Sequence, residues 1–278
     1  SEQRRRWSAP VGVAHHPALT GAVTVAARVT FLGTGTSHGV PMIGCGCEVC
    51  RSTDPRDKRL RASVLVEHEG QKILVDAGPD FRYQMLRAGI CSLDAILLTH
   101  NHKDHTGGLD DIRAFNYHEK KATQIYCEKY VEDSLRQEYS YAFAEVKYPG
   151  APEWNVHIID EKPFSINGVE IIPIRGKHFK LPVLGYRFGN IAYCTDMNHI
   201  SEEEYSKLQG LDHFIINCVR RGRHISHYSL EQAIEVAGKV GAEHSWLTHL
   251  SHQLPCYEEL IKELPEGILP AFDGLAIE

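Results

Sequence analysis

The sequence contains no apolar run that approaches the roughly 18–20 residues of a membrane-spanning helix. An excess of positive charge is also missing, because 30 lysines and arginines face 36 aspartates and glutamates, for a net charge of −6 with histidine neutral. A surface that binds polyanions in general is therefore not favoured. We expect neither a membrane nor a nucleic acid as the partner of this chain.

No secretory signal is recognisable, since the apolar piece at residues 22–27 is too brief for a signal h-region. Eight cysteines without such a signal predict a reducing compartment, in which some thiols bind metal. We therefore expect a soluble cytoplasmic protein. Residues 1–27 have no clear period and are predicted to be an extension, with the domain proper at residues 28–278.

The remaining chain predicts an α/β (α+β) fold. Strand-like segments, a helical segment, a second set of strands and further helices follow one another, starting with a strand at residues 28–32. Residues 122–148 are predicted to be a helical, aromatic insertion over the site, although core packing would explain most of those rings equally well. The order predicts two sheets packed face to face with helices outside, a four-layered sandwich.

Four metal-ligand side chains crowd into six residues directly after the apolar run 93–98. These are His100, His102, Asp104 and His105, at the carboxyl end of a predicted strand, where α/β proteins usually place their chemistry. His100 and His102 alternate, so both point to one face of an extended backbone, whereas Asp104 and His105 can face a second point. Imidazole and carboxylate suit Zn, Mn or Fe, and the two groups predict two ions.

Later segments supply further candidate ligands, because Asp196 and His249 end apolar strands and His178 closely follows one. Asp76 ends the second strand of a predicted hairpin. It could be a ligand, but a strand-end aspartate more often orients a histidine that binds the metal.

Three thiols, Cys45, Cys47 and Cys50, lie within six residues, an arrangement typical of a zinc knuckle that is one ligand short. His252 follows His249 by three residues and is predicted to be the fourth ligand. The alternative is that the three cysteines are free thiols in a loop.

A glycine-rich loop at residues 33–37 follows the first strand. It could cradle a phosphate, but it lacks the lysine of a P-loop and the spacing of a dinucleotide fingerprint. A tight turn near the active site is the favoured interpretation.

Taken together, these motifs resemble a known family. The stretch 99–107 resembles the HxHxDH signature of the metallo-β-lactamase superfamily, whose fold is an αββα sandwich. Within it the chain resembles the PhnP-type phosphodiesterases, which open phosphoribosyl cyclic phosphate. The resemblance to the PhnP-type enzymes rests on the segment 31–37, the CxCxxC motif at 45–50 and the THxxHQ motif at 248–253.

The resemblance implies a ligand set for each ion. One catalytic metal would be held by His100, His102 and His178. The other would be held by Asp104, His105 and His249, with Asp196 bridging. A structural zinc would be held by Cys45, Cys47, Cys50 and His252. Asp76 matches the aspartate of the first motif, which shapes the site.

The predicted function is a two-metal phosphodiesterase for a small cyclic or diester phosphate, in which two Zn or Mn ions bind the phosphate oxygens and activate a hydroxide. His227 is predicted to protonate the leaving group, by its resemblance to the catalytic histidine of the family, while His224 would be a surface residue. The candidate catalytic residues are therefore His227, Asp104 and Asp76. A homodimer is possible.

A basic turn precedes these histidines. Arg220, Arg221 and Arg223 could bind a second phosphate of the substrate, and a solvated basic turn is about equally consistent.

Two other functions remain open. The same scaffold hydrolyses thioesters and tRNA 3′ precursors, although no polybasic stretch of the tRNA-processing kind is visible. The chain could also be a metal-binding scaffold without activity, against which the complete set of seven ligands argues.

Overall fold

Two β-sheets lie face to face and carry helices on their outer sides. The computed structural model describes residues 26–278, so most of the predicted extension lies outside the described residues. Ala27, which was assigned to that extension, is buried between the sheets, and its N–H donates to Asn190 Oδ1 at 3.3 Å. The packed chain therefore starts before the predicted boundary.

Fifteen strands lie within residues 26–278. They are β1 (Arg28–Gly33), β2 (Ser63–His68), β3 (Gln71–Val75), β4 (Ala95–Leu97), β5 (Thr123–Cys127), β6 (Trp154–Ile158), β7 (Phe164–Ile166), β8 (Val169–His178), β9 (Leu181–Phe188), β10 (Ile191–Cys194), β11 (His199–Ile200), β12 (His213–Asn217), β13 (His244–Thr248), β14 (Ile268–Pro270) and β15 (Ala276–Ile277).

The α-helices are α1 (Glu48–Arg51), α2 (Phe81–Ala88), α3 (Lys103–Thr106), α4 (Arg113–Glu119), α5 (Lys129–Glu138), α6 (Ser140–Phe143), α7 (Leu230–Val240) and α8 (Tyr257–Glu263). Short 3₁₀ segments lie at Pro55–Asp57, Leu109–Ile112 and Glu202–Leu208. Within residues 26–278, no helix has the length and apolarity that crossing a bilayer requires.

The first sheet has the strand order β15-β1-β2-β3-β4-β5-β6, and the second has the order β11-β8-β9-β10-β12-β13-β14, with β7 added beside β8. In the first sheet β3, β4, β5 and β6 run parallel, and in the second β10, β12, β13 and β14 do. Parallel strands end at the same edge of a sheet, so each sheet gathers its strand ends on one side.

The side chains of each strand point alternately to the two faces of its sheet, which separates the layers of the core. In β3, Ile73 and Val75 face the second sheet, whereas Leu74 between them packs under the outer helices. Across the interior they meet strand residues of the second sheet such as Tyr186 and Ile215. Helix α7 covers the far side of that sheet through its apolar stripe. The predicted four-layered αββα sandwich is confirmed.

Two segment predictions need correction. Residues 123–127 of the predicted helical insertion form β5, because their alternating burial places Ile125 and Cys127 in the core. The helical part is α5 and α6, where Tyr139 packs into the core, whereas Tyr141 and Tyr148 are exposed. Strand β8 continues through His178 itself, since its pairing with β9 runs from Ile172 to His178.

Candidate active site

The strand ends of both sheets meet at one edge, and the predicted metal ligands lie there. Asp76 follows β3, His100 follows β4 after a short connection, and His249 follows β13 directly. Strand β8 lies antiparallel to β9, which lies antiparallel to β10, so His178 ends at the same edge as Asp196. Residues far apart in sequence are thus brought together by the sheet topology.

The first set of candidate ligands consists of His100, His102 and His178, whose nearest ring nitrogens lie within 4.8 Å of one another. His178 Nδ1–H donates to the carbonyl oxygen of Ser226 at 2.9 Å, which leaves Nε2 free to bind a metal. His100 Nδ1 lies 2.9 Å from Thr99 Oγ1 and is held in the same way. His102 is exposed at the mouth of the site.

The second set consists of Asp104, His105, Asp196 and His249. His105 Nε2 lies 3.1 Å from Asp104 Oδ2 and 3.0 Å from Asp196 Oδ2. His249 Nε2 lies 3.5 Å from Asp104 Oδ2. Ligand atoms about 2.1 Å from one ion lie roughly 3–3.5 Å apart, so these separations suit a shared divalent cation.

Asp196 lies between the two sets. Its Oδ2 reaches His105, whereas its Oδ1 lies 3.3 Å from His249 Nε2 and 3.8 Å from His100 Nε2. Thr195 Oγ1–H donates to Oδ2 at 2.8 Å and restrains the carboxylate. This position allows one carboxylate to contact two ions.

Buried imidazole nitrogens without a partner support a metal in this cavity. Nε2 of His100, of His105 and of His249 is buried and has no hydrogen-bond partner, which is costly for a polar atom. All three atoms point toward the cluster of Asp104 and Asp196. A divalent cation would satisfy these lone pairs and the carboxylates together, so the residues present fit a bound metal.

The electrostatics of the cluster are those of closely packed opposite charges. Burial alone would raise the pKa of Asp196, but His105 and His249 hold that pKa well below its usual value. The same two rings lower the pKa of Asp104 against the effect of burial. The pKa of His105 is raised despite burial because of the carboxylates around it, whereas burial and His105 lower the pKa of His100. Buried carboxylates need compensating positive charge, which metal ions supply.

Asp76 lies behind the ligands. Its Oδ1 accepts the Thr99 N–H at 2.9 Å, and its Oδ2 accepts the Thr99 hydroxyl at 2.8 Å and His105 Nδ1–H at 2.6 Å. Both oxygens are thus used by Thr99 and His105. Asp76 therefore orients a ligand, which is a positioning role and not the catalytic role that was predicted for it.

Three residues of this edge have a left-handed backbone. Asp76, Asp196 and His249 have φ angles of 65°, 57° and 56°, values that non-glycine residues rarely adopt. Such conformations cost of order 1–3 kcal/mol each and cluster at functional sites. The sharp turn of the chain after each strand aims these side chains into the cluster.

His227 is buried between the ligands. Its ring centroid lies 4.7 Å from those of His178 and His249, and its Nε2 lies 3.9 Å from Asp196 Oδ1. Burial and the neighbouring His249 lower its pKa to about 3. Ligand atoms of His178, Asp196 and His227 also lie within 4.8 Å of one another, so these residues could form a third ligand set. His227 is therefore placed either to exchange a proton with the substrate or to bind metal.

His224 is half-buried and not a free surface residue. Its ring centroid lies 5.1 Å from that of His227, and its Nδ1 accepts the N–H of Ser226 at 3.2 Å.

The predicted zinc ligands also come together. Cys45 Sγ lies 3.2 Å and Cys47 Sγ 3.5 Å from His252 Nδ1, and all four ligand atoms, with Cys50, lie within 4.8 Å of one another. The N–H of Cys50 and the ring of His252 lower the pKa of Cys47 to about 6, which favours the thiolate that binds zinc. The group ties the early loop to the segment that carries His249.

The glycine-rich loop is a packing feature. Its amides are used internally, since Gly35 N–H donates to Leu60 O and Thr36 N–H to Leu250 O. A Cβ on Gly33 would lie 1.9 Å from the carbonyl oxygen of Arg61, so only glycine fits there. This agrees with a tight turn beside the site.

Three threonines that directly precede ligands were not among the predicted site residues. Thr99, Thr195 and Thr248 stand directly before His100, Asp196 and His249, and the first two bond to ligand side chains. The recurrence of Thr before a ligand at three strand ends was a signal in the sequence.

The chain is similar to known proteins in sequence and in fold. The family model described as β-lactamase superfamily domain matches residues 71–250. A crystal structure of a diphosphatase from the PhnP family superposes with a TM-score of 0.85 at 40% identity, covering 91% of this chain and 98% of that one. The zinc-bound PqqB of Methylobacterium extorquens shares the fold at a TM-score of 0.72 and 19% identity, covering 90% of this chain and 99% of that one.

One relative is named for an activity other than phosphate hydrolysis. The octanoyltransferase of Porphyromonas gingivalis is 45% identical over 251 residues, which cover 89% of this chain and 51% of that protein. The chain thus spans about half the length of that relative.

Proposed function

The chain belongs to the metallo-β-lactamase superfamily and resembles its PhnP family, and from this premise we propose that it hydrolyses phosphodiesters with two divalent metal ions. The fold implies a divalent metal and a hydrolase. The finer assignment, a small cyclic or diester phosphate such as a phosphoribosyl cyclic phosphate, is supported by the 40% identical diphosphatase.

The observation that carries the proposal is the position of Asp196 between the two ligand sets. Because its two oxygens face His100 and His105, we assign His100, His102 and His178 to one ion. Asp104, His105 and His249 are assigned to the other. Two such ions, Zn or Mn, would neutralise charge on a phosphate and lower the pKa of a water molecule.

The residues of the chain supply orientation and a proton. Hydrogen bonds from His178 to Ser226 O and from His105 to Asp76 fix the ring orientations before substrate arrives. We assign to His227 the transfer of a proton to the leaving oxygen, because its buried ring lies beside both ligand sets. A phosphate anion bound beside the ring would favour its protonated form.

The name octanoyltransferase belongs to a relative twice as long as the match, so we do not assign acyl transfer to this chain. A cytoplasmic location is proposed because zinc-binding thiols persist in reducing compartments. All eight cysteines are free thiols in the structure.

The proposal is tested by metal analysis and turnover of bis(p-nitrophenyl) phosphate, followed by a panel of cyclic phosphates and nucleotides. Asp196→Ala should abolish turnover and lower the bound metal, because both ions lose a ligand. Asp133→Ala, which removes an exposed carboxylate of α5, is the matched control and should behave as wild type. Near-normal turnover with full metal content in Asp196→Ala would refute the two-metal assignment, and an inactive wild type with two bound ions would favour the non-catalytic scaffold.

A further inference from the structure

Two tyrosines lie side by side in the interior between the two sheets. Tyr193 of β10 and Tyr186 of β9 are direct partners in the strand register, and both side chains are fully buried. Residues directly opposite each other in antiparallel strands point to the same face of the sheet. Both rings belong to the core cluster between the sheets, so both side chains extend from the second sheet toward the first.

The two hydroxyls differ in what they contact. The hydroxyl of Tyr186 donates to the carbonyl oxygen of Leu98 at 2.6 Å, two residues before His100. Among residues 26–278, the hydroxyl of Tyr193 has no hydrogen-bond partner. A buried hydroxyl without a partner is costly, and a phenylalanine would fill the same space without this cost. The hydroxyl of Tyr193 therefore needs an explanation other than packing.

Charged groups of the candidate active site lie near this hydroxyl. Burial raises the pKa of Tyr193 above its ordinary value, and the carboxylate of Asp76 raises this pKa further. His105 opposes the rise in pKa as a nearby positive charge, whereas Asp196 adds to it. The hydroxyl consequently stays protonated near neutral pH. It is a hydrogen-bond donor placed behind the ligand sets.

The acceptor within reach of this donor is Thr195. Tyr193 and Thr195 are two residues apart where β10 ends, a spacing that directs both side chains to one face of an extended backbone. The Thr195 hydroxyl gives its hydrogen to Asp196 Oδ2, so its lone pairs remain to accept another bond. Thr195 is close enough to lower the pKa of Tyr193, although the two hydroxyls are not in hydrogen-bonding geometry. Bonds at catalytic sites are often poorly aligned without ligands and tighten when the site is filled.

We propose that Tyr193 is a positioning residue for the carboxylate between the two ligand sets: its hydroxyl donates to Thr195 Oγ1, which in turn donates to Asp196 Oδ2. The inference rests on the two-metal assignment of the proposed function and adds a residue that contacts neither metal nor substrate. A hydroxyl that accepts a hydrogen bond becomes a stronger donor, because the bonds of a chain polarise one another. The chain of bonds fixes the Thr195 rotamer and the plane of the Asp196 carboxylate, on which both ligand sets depend.

The test uses the full chain and measures two quantities, the affinity for Zn²⁺ and Mn²⁺ by competition with a chelator and the free energy of unfolding without added metal. Tyr193→Phe should lower the metal affinity about 10-fold, as is typical when a group that orients a ligand is lost. It should not lower the free energy of unfolding, since the hydroxyl has no partner to lose. Tyr186→Phe is the matched control. It should lower the free energy of unfolding, because Leu98 O loses its donor, and should keep the metal affinity of wild type.

A double variant tests whether the effect passes through Thr195. Thr195→Val removes the donor to Asp196, so adding Tyr193→Phe should cause no further loss of metal affinity, a non-additivity that a double-mutant cycle measures. Losses that add, or a Tyr193→Phe variant with lower stability and unchanged metal affinity, would overturn the inference. If Thr195→Val does not fold, the comparison of Tyr193→Phe with Tyr186→Phe still decides.

Failure of the inference can be told from failure of the proposed function. If wild type binds two ions at the ligand sets and hydrolyses bis(p-nitrophenyl) phosphate, while Tyr193→Phe has the same metal affinity, only the inference fails. If wild type binds no ions at the ligand sets, the two-metal proposal is overturned together with the inference.

Discussion

Oδ2 of Asp76 lies 2.6 Å from Nδ1 of His105, and both side chains are fully buried. The same oxygen accepts the hydroxyl of Thr99, which can in turn accept His100 Nδ1–H at 2.9 Å. One carboxylate thus orients two histidines that belong to different ligand sets. With the proton on Nδ1 of each ring, Nε2 would be available to bind a metal in the cavity.

Asp76→Asn should weaken metal binding at both sets. Three donors meet Asp76, namely the N–H and hydroxyl of Thr99 and Nδ1–H of His105, so an asparagine must turn its own N–H₂ toward at least one of them. Metal affinity should fall about 10–100-fold, as is typical when such a partner is lost. Competition with a chelator measures this without reference to activity. Unaltered affinity for both ions would mean that the orientation of the rings does not depend on Asp76.

Gly78→Ala should displace the segment that carries Asp104 and His105. A Cβ at Gly78 would lie 2.0 Å from the carbonyl oxygen of Asp104, a backbone atom that cannot move aside alone. We expect a loss of about 1–3 kcal/mol in the free energy of unfolding and reduced metal content. The control is Gly238→Ala in the last turn of α7, where a Cβ meets nothing within 4 Å. That change should stabilise the protein by roughly 0.5–1 kcal/mol, and the comparison is made by denaturant unfolding.

Cys47→Ser should lower the zinc stoichiometry and the melting temperature more than it alters the pH dependence of the remaining turnover. The reason is that a site with three cysteines and one histidine leaves no open position for chemistry and instead joins an early loop to a late one. Cys91→Ser, an exposed cysteine away from the cluster, is the control. Rapid thiol titration of Cys45, Cys47 and Cys50 in the native protein would show that they do not hold zinc.

His227→Ala should impair hydrolysis of alkyl and cyclic sugar phosphodiesters by about 10²–10⁴-fold while sparing much of the activity on nitrophenyl esters, because a sugar alkoxide needs a proton and a nitrophenolate does not. Metal content should stay unchanged. Loss of a metal ion would show instead that His227 binds metal with His178 and Asp196. His224→Ala is the companion variant, and a selective loss there would move the role three residues upstream.

Local patterns account for most of the elements that the sequence predicted. The hairpin of β2 and β3 was recognisable because its strand residues and the intervening Glu69 and Gly70 are local properties. Short strands such as β5 and β12 were missed. A run of only five residues is too short for its polarity pattern to distinguish a strand from a helical turn.

The sequence by itself determined the chemistry available, since the His100–His105 motif, the CxCxxC motif and the strand-end residues can be read without coordinates. Only the tertiary structure decided which residues meet: that Asp196 stands between two ligand sets, and that Asp76 faces Thr99 and His105. The physical reason is that ligand type is a property of one residue. Proximity and charge compensation depend instead on how the strands of two sheets bring distant segments to one edge.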